Sequence, residues 1–354
     1  MKKTFLSLLI LLLCGSVFAQ ESRRVKLLFA GDAMQHQSQI DAAKTPDGYD
    51  YSSYFGLIRN RIDSADIAIV NLEVTLAGKP YTGYPTFSAP DEFAAELKKT
   101  GFDVFLTANN HVLDKGRKGL ERTIAQLDTL DVKHLGSYIN SHQRNLLYPL
   151  MLLKNGIRMA LLNYTYDTNG IKVQYPNIVN YIQKDSILSD IRKAKQLNPD
   201  IIIANMHWGL EYKLTHNYEQ KKLADLLIEN GVNLVIGSHP HVVQPIDVRK
   251  KGDSIKNVIV YSLGNFVSGM KAPNTDGGLL VNIDLSKDEK GIVRIDSCYH
   301  SLVWVHKQGI KPQIQLVPVE EYEDETAGKT FLGETAYNKM MQFARAARIA
   351  IKGD

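Results

Sequence analysis

Between Lys26 and about Ile236 the chain repeats one unit: a short apolar run, a polar string, then an amphipathic stretch of helical period. That alternation constrains the fold more than any single residue, because a strand–helix–strand order builds a parallel sheet with helices on its faces. Strands read at 25–30, 67–70, 104–107, 158–164, 201–206 and 234–236, and helices between them at 54–62, 92–99, 116–130, 186–196 and 218–229. From Asn257 onward the texture becomes all-β, through NVIVYSLG, GGLLVNIDL, GIVRIDSCYHSLVWV and QIQLVPV, with Lys290-Gly291 as a turn. A last helix is expected over 334–351, with Tyr337, Met340, Met341, Phe343, Ala344 and Ala347 on one period. No linker rich in Pro, Gly or Ser separates two domains. The reading is therefore one domain over 20–332, whose second half supplies a second sheet, with the helix of 333–354 packed back on it.

Five of the apolar runs end in strings rich in metal-ligand side chains: GDAMQH at 31–36, NLE at 71–73, ANNHVLD at 108–114, MHWGLE at 206–211 and GSHPHV at 237–242. In open α/β sheets ligands bind at the carboxyl ends of the strands. Asp32, Glu73, Asn110, His111, His207, His239 and His241 are thus expected on one rim, a donor set suited to hard or borderline divalent cations. Each has a plainer reading alone. Asp32, Asn109 and Asn110 suit turns or helix caps, and Glu73 suits pairing with a lysine. His239-Pro240-His241 is harder to dismiss, since proline fixes two imidazoles in one loop. What favours a site is the shared position of all five strings. The histidines at 134, 142, 216, 300 and 306 follow no such pattern and read as surface residues.

Lys2 and Lys3, the apolar run 5–13 and Val17-Phe18-Ala19 form a secretory signal over 1–19, with cleavage near Ala19 and a mature start at Gln20. Leu13 stands where a lipoprotein signal has a small residue, which disfavours lipidation at Cys14. The mature chain is expected in the periplasm or at the cell surface, without a transmembrane span. Cys298 is then the only cysteine left, so stability must come from a core and not from an internal disulfide. The formal charge is +4, or +2 without Lys2 and Lys3, which predicts no nucleic-acid partner.

The strings GDAM, NLEVTL, YPTFSAP, ANNHVLDKGRKGLERTIAQLD, HWGLEY, GSHPHVVQP and YSLGNF, in this order, resemble the bacterial capsule synthesis CapA family, also called the poly-γ-glutamate synthesis or PGA_cap family. The resemblance implies the fold of calcineurin-like metallophosphoesterases, an α/β four-layer α/β/β/α sandwich holding two divalent metals at its strand ends. It implies one or two such ions here, Mn, Zn, Fe or Mg, held by Asp32, Glu73, Asn110, His207, His239 and His241. Asp32 and His241 fall to the first metal, Asn110 and His207 to the second, and Glu73 to a bridging position that holds aspartate in the superfamily. His111 takes the role of acid or transition-state donor. Asn71, Asn109, Tyr164, Trp208, Glu211 and Asn265, on the same loops, are candidates for substrate binding. One position departs from the pattern: Met34 stands where metallophosphoesterases have a histidine, and a thioether is a poor ligand for hard cations. Either His36 completes the coordination while Met34 packs beneath the site, or the first metal is held with fewer ligands.

The implied function is a metal-dependent hydrolase or transferase of the cell envelope, acting on an anionic extracellular polymer or its precursor. A non-catalytic accessory protein, binding polymer or membrane polymer-synthase subunits through the same cleft, remains the alternative. A GDS-type serine esterase is disfavoured, because Ala33 sits where its nucleophile should be.

Overall fold

The computed structural model describes residues 23–309 and 313–353; the signal segment and the start at Gln20 lie outside the described residues. The expected strands appear as Arg23–Ala33, Ile67–Leu72, Val104–Leu106, Ile157–Thr165, Ile201–His207 and Leu234–Ser238. Helices Asp91–Thr100, Gly116–Thr129, Lys184–Gln196 and Tyr218–Glu229 lie between them. The helix expected over 54–62 is instead two short pieces, Ser52–Phe55 and Arg59–Asp63. Gly56 sits at the break, where it costs about 1 kcal/mol of helix propensity, and Tyr54, Phe55, Ile58 and Ile62 are all buried around it.

One hydrogen-bonded path joins the strands in two parallel halves. Lys133–Leu135, Val104–Leu106, Ile67–Leu72 and Arg23–Ala33 run parallel, and Gly277–Lys287 and Val293–Gln308 extend this half antiparallel. In the other half Ser254–Val260, Leu234–Ser238, Ile201–His207 and Ile157–Thr165 run parallel, and Leu150–Lys154 closes the edge antiparallel. The halves are bridged at Ile255, which faces Ile295.

Side-chain alternation along the strands turns these halves into layers. Leu27, Phe29, Ile67, Ile69, Val104 and Leu106 share a core with Met159, Leu161, Ile203, Val235 and Ile259 of the other half. The intervening Leu28, Ala30, Ala68, Val70 and Phe105 join a second core with Phe55, Phe93 and Leu97 of the flanking helices. Ile187, Ile191, Ala224 and Leu227 bring two further helices onto the second half. Both faces of the strands are therefore apolar, which is why they read as continuous hydrophobic runs. The C-terminal helix Glu334–Lys352 adds Tyr337, Met340, Phe343 and Ala344 to the first core. No helix among the described residues is long and apolar enough to cross a membrane.

Candidate metal centre

The carboxyl ends of both parallel halves meet at one place, and the polar strings converge there. Asp32 lies beside Asn71 on one neighbouring strand and Asn265 on another, at a bulge in the register. Gly31 makes that approach possible, because a Cβ there would lie 1.9 Å from the Gly264 carbonyl oxygen. Glu73 follows its strand directly, its N–H donating to the Ala33 carbonyl at 3.1 Å. His207 ends the strand Ile201–His207. His239 and His241 occupy the loop after Leu234–Ser238 with φ of 98° and 59°. Non-glycine residues rarely adopt that region, at a cost of about 1–3 kcal/mol each. The fold holds these two imidazoles in place against local preference.

Asp32, Glu73 and His207 form one buried trio and Glu73, His239 and His241 another, with candidate ligand atoms within 4.8 Å of one another in each. Glu73 belongs to both. The ring centres of His207 and His239 are 4.9 Å apart, well inside the span of a shared site. Glu73 Oε1 lies 3.6 Å from His207 Nε2 and 3.8 Å from His241 Nε2, and Asp32 Oδ2 lies 3.2 Å from His241 Nδ1. Asn110 adds its carbonyl oxygen 2.8 Å from His207 Nε2. Asp32 is thus close to both His207 and His241, and Asn110 to His207. Glu73 Oε1 and His239 Nδ1 are buried with no hydrogen-bond partner. An unpaired buried polar atom costs about 1–3 kcal/mol, so two of them facing one cluster of N and O donors fit the coordination of divalent ions.

Electrostatics agree with that fit. Burial pushes the Glu73 carboxyl well above the usual carboxylate range, and neighbouring Asp32 and Glu211 push the same way. Burial also works to raise Asp32, but its hydrogen bond to His241, the neighbouring imidazoles of His241 and His207 and the Asn71 amide bring it below the usual range. Burial and the other imidazoles hold His207 well below the ordinary histidine value, and burial with His241 brings His239 down to about 3. At neutral pH His207 and His239 are uncharged, so the close approach of His207 to Glu73 is not an ion pair. Neutral imidazoles offer the lone pairs that metal binding requires.

A ring of amides supports these groups. Asn71 Nδ2 donates to Asp32 Oδ1 at 2.7 Å, and Asn109 Nδ2 donates to the Asn71 side chain at 3.3 Å and the Leu72 carbonyl at 2.8 Å. Asn265 Oδ1 lies 3.0 Å from His241 Nδ1, while its Nδ2 donates to the Thr275 carbonyl. These three asparagines therefore position the cluster and do not face solvent. His111 Nδ1 lies 2.8 Å from Asp114 Oδ2, and the edge of Phe87 packs at 4.6 Å. Asp114 had no role assigned from sequence, and neither had Asn169, whose Oδ1 accepts from Asn110 Nδ2 at 3.1 Å.

Other expectations need correction. The Tyr164 hydroxyl donates to Asp190 Oδ2 at 3.0 Å within an aromatic core, away from the cluster. Trp208 is buried, its Nε1–H donating to the Tyr261 carbonyl at 2.9 Å. Of the residues after His207, Glu211 is exposed, and Tyr212 stands over His241 with ring centres 6.4 Å apart. Tyr166, half exposed, lies 4.5 Å from His239. Met34 is buried in the apolar core. His36 is in neither trio: its Nδ1 accepts the Gly269 N–H at 3.2 Å. Glu73 lies against His207 and His241, and no lysine among the described residues reaches it. His134 and His306 are buried rather than at the surface.

Layered sheets with carboxylates, imidazoles and an asparagine at the strand ends define the class of metallophosphoesterase-like folds. A putative 5'-nucleotidase from Staphylococcus aureus superposes with a TM-score of 0.51 over 91% of this chain and 58% of its own, at 14% identity. A calcineurin-like phosphoesterase from Bacillus subtilis gives 0.49 over 91% of this chain and 99% of its own, at 15% identity. Within that fold, residues 26–270 match the model of the bacterial capsule synthesis protein PGA_cap family, to which the chain belongs. It is 33% identical to the capsule biosynthesis protein CapA of Bacillus anthracis over 59% of this chain and 50% of that protein. It is 31% identical to the PGA biosynthesis protein CapA of Bacillus subtilis over 55% of this chain and 50% of that protein. The chain spans about half the length of these relatives.

Proposed function

We propose that this chain is an exported cell-envelope protein of the capsule or poly-γ-glutamate synthesis type, acting as a divalent-metal-dependent hydrolase or transferase on an anionic polymer or its precursor. One observation carries the reading: the buried Glu73 carboxylate, shared by two ligand trios and left with an unpaired oxygen. Asp32, Asn110 and His207 would hold an ion on one side of it, and His239 and His241 on the other. Two such ions, when bound, supply Lewis-acid polarisation and an acidified water. The chain's own part is to hold that site dry and to move a proton. Asp114, 2.8 Å from His111 Nδ1, orients the ring so that Nε2 is directed toward a leaving oxygen. Membrane polymer-synthase subunits are the partners this reading suggests.

Turnover of an anionic polymer and of an aryl phosphate, measured across a Mn²⁺ titration, tests it. Activity on the aryl phosphate should be low and rise with metal, and His111→Ala should reduce turnover by about 10²–10⁴-fold. A second reading, a binding accessory without turnover, is favoured by Met34, which fills the core where an imidazole would complete the set. In that case polymer binding survives His111→Ala and no substrate is turned over at any metal concentration.

A further inference from the structure

A second recess, of about 740 Å³, opens where the strand Val293–Gln308, the loop 270–276 and the start of the helix Glu334–Lys352 meet. Lys271, Lys307 and Lys339 line it, one from each of these elements, and all three are exposed without an ion-pair partner among the described residues. Two carboxylates also line it: Asp276, whose Oδ2 accepts from Trp304 Nε1 at 2.7 Å and whose charge acts on Lys307, and Glu334, 3.5 Å from Lys329 Nζ, so the lysines outnumber the acids of the recess. Gly333 gives the helix no side-chain cap, and Gly333, Thr335 and Ala336 line the recess, which brings the positive end of the helix to it. The independent sign of a ligand is His306. It lines the same recess, is 3% exposed, and has neither ring nitrogen hydrogen-bonded. Its ring stacks on Trp304 at 5.7 Å.

We propose that this recess is a subsite for the carboxylates of an anionic polymer. Cations spread over three elements and separated by apolar walls at Trp304 and Phe343 suit carboxylates spaced along a chain with methylenes between them, better than one compact phosphate. The recess also adjoins the metal centre through one loop. Gly269 N–H bonds His36, and Asn265, which positions His241, donates to the Thr275 carbonyl in that loop. A polymer engaged here would have its next segment directed toward the cluster. The polymer's identity rests on the proposed function; binding at the recess does not require metal or turnover.

The test is binding of a short oligoglutamate to the whole chain, followed by Trp304 fluorescence and calorimetry, with oligoglutamine and inorganic phosphate as the other probes. Oligoglutamate should bind, weaken with salt, and lose affinity on the order of tenfold in Lys271→Ala/Lys307→Ala, since exposed ion pairs contribute up to about 1 kcal/mol each. Binding should persist in His239→Ala, which impairs the metal centre alone. Equal binding of oligoglutamine, binding of phosphate without oligoglutamate, or affinity unchanged by the double substitution would overturn the assignment. Loss of turnover with recess binding intact would count against the proposed function and leave the subsite standing.

Discussion

Glu73 is costly to the metal-free protein. It is a fully buried carboxylate beside Asp32, with an oxygen that bonds nothing. Without metal, burial and Asp32 favour the protonated Glu73 carboxyl, for which glutamine is a close neutral stand-in, so after chelator treatment Glu73→Gln should melt no lower than the unsubstituted protein. With divalent metal present the order should invert, because the natural chain gains binding energy that the variant lacks. Thermal melts with and without chelator check both halves. Met34→His should not load metal. It places an imidazole in an apolar core and should cost about 1–3 kcal/mol of stability in denaturant titration; higher metal content in the variant would show that Met34 does face the ions. Residues at this scale were legible where chemistry and position coincided, as in His239-Pro240-His241. Tyr164 and Trp208 were misplaced by parity. Strand side chains alternate faces, so Asn163, whose Oδ1 accepts the Ala108 N–H at 2.8 Å, turns toward the Asn-Asn-His loop while Tyr164 turns away.

Elements divide the labour between holding the fold and holding the site. Arg144, Asp190 and the Tyr164 hydroxyl form a network between helices and sheet, with Arg144 Nη2 2.7 Å from Asp190 Oδ2. Asp190→Ala should destabilise by about 3 kcal/mol, because it leaves a mostly buried guanidinium unpaired, and should leave metal content unchanged. Asn265→Ala should do both kinds of damage. Asn265, a candidate for substrate binding, is fully buried and joins His241 to the Thr275 carbonyl. Metal affinity should fall about 10–100-fold and stability by about 1–2 kcal/mol, as read by calorimetry and melts. The long strands and helices were visible in apolar periodicity. The short helix Glu325–Leu332 and the broken helix at 52–63 were not, because four- to eight-residue pieces are fixed by packing and caps more than by pattern.

Across the whole molecule, two parallel half-sheets point their carboxyl ends at one spot, and residues as distant in sequence as Asp32 and His241 become neighbours there. The strand order that achieves this could not be read from local pattern, since the sequence marks each strand but not its neighbours. The convergence itself was legible, because several ligand-rich strings ended apolar runs. The acidic–imidazole cluster and the basic recess lie at either side of the loop 265–276, an arrangement that fits one extended anionic ligand. Metal stoichiometry tests the shared-carboxylate site most directly. Protein purified without chelator, dialysed against Mn²⁺ or Zn²⁺ and analysed by elemental mass spectrometry should hold two ions per chain, and Glu73→Ala should hold at most one. A natural chain that binds no metal under these conditions, or a Glu73→Ala variant that retains the same content, would contradict the shared-carboxylate site.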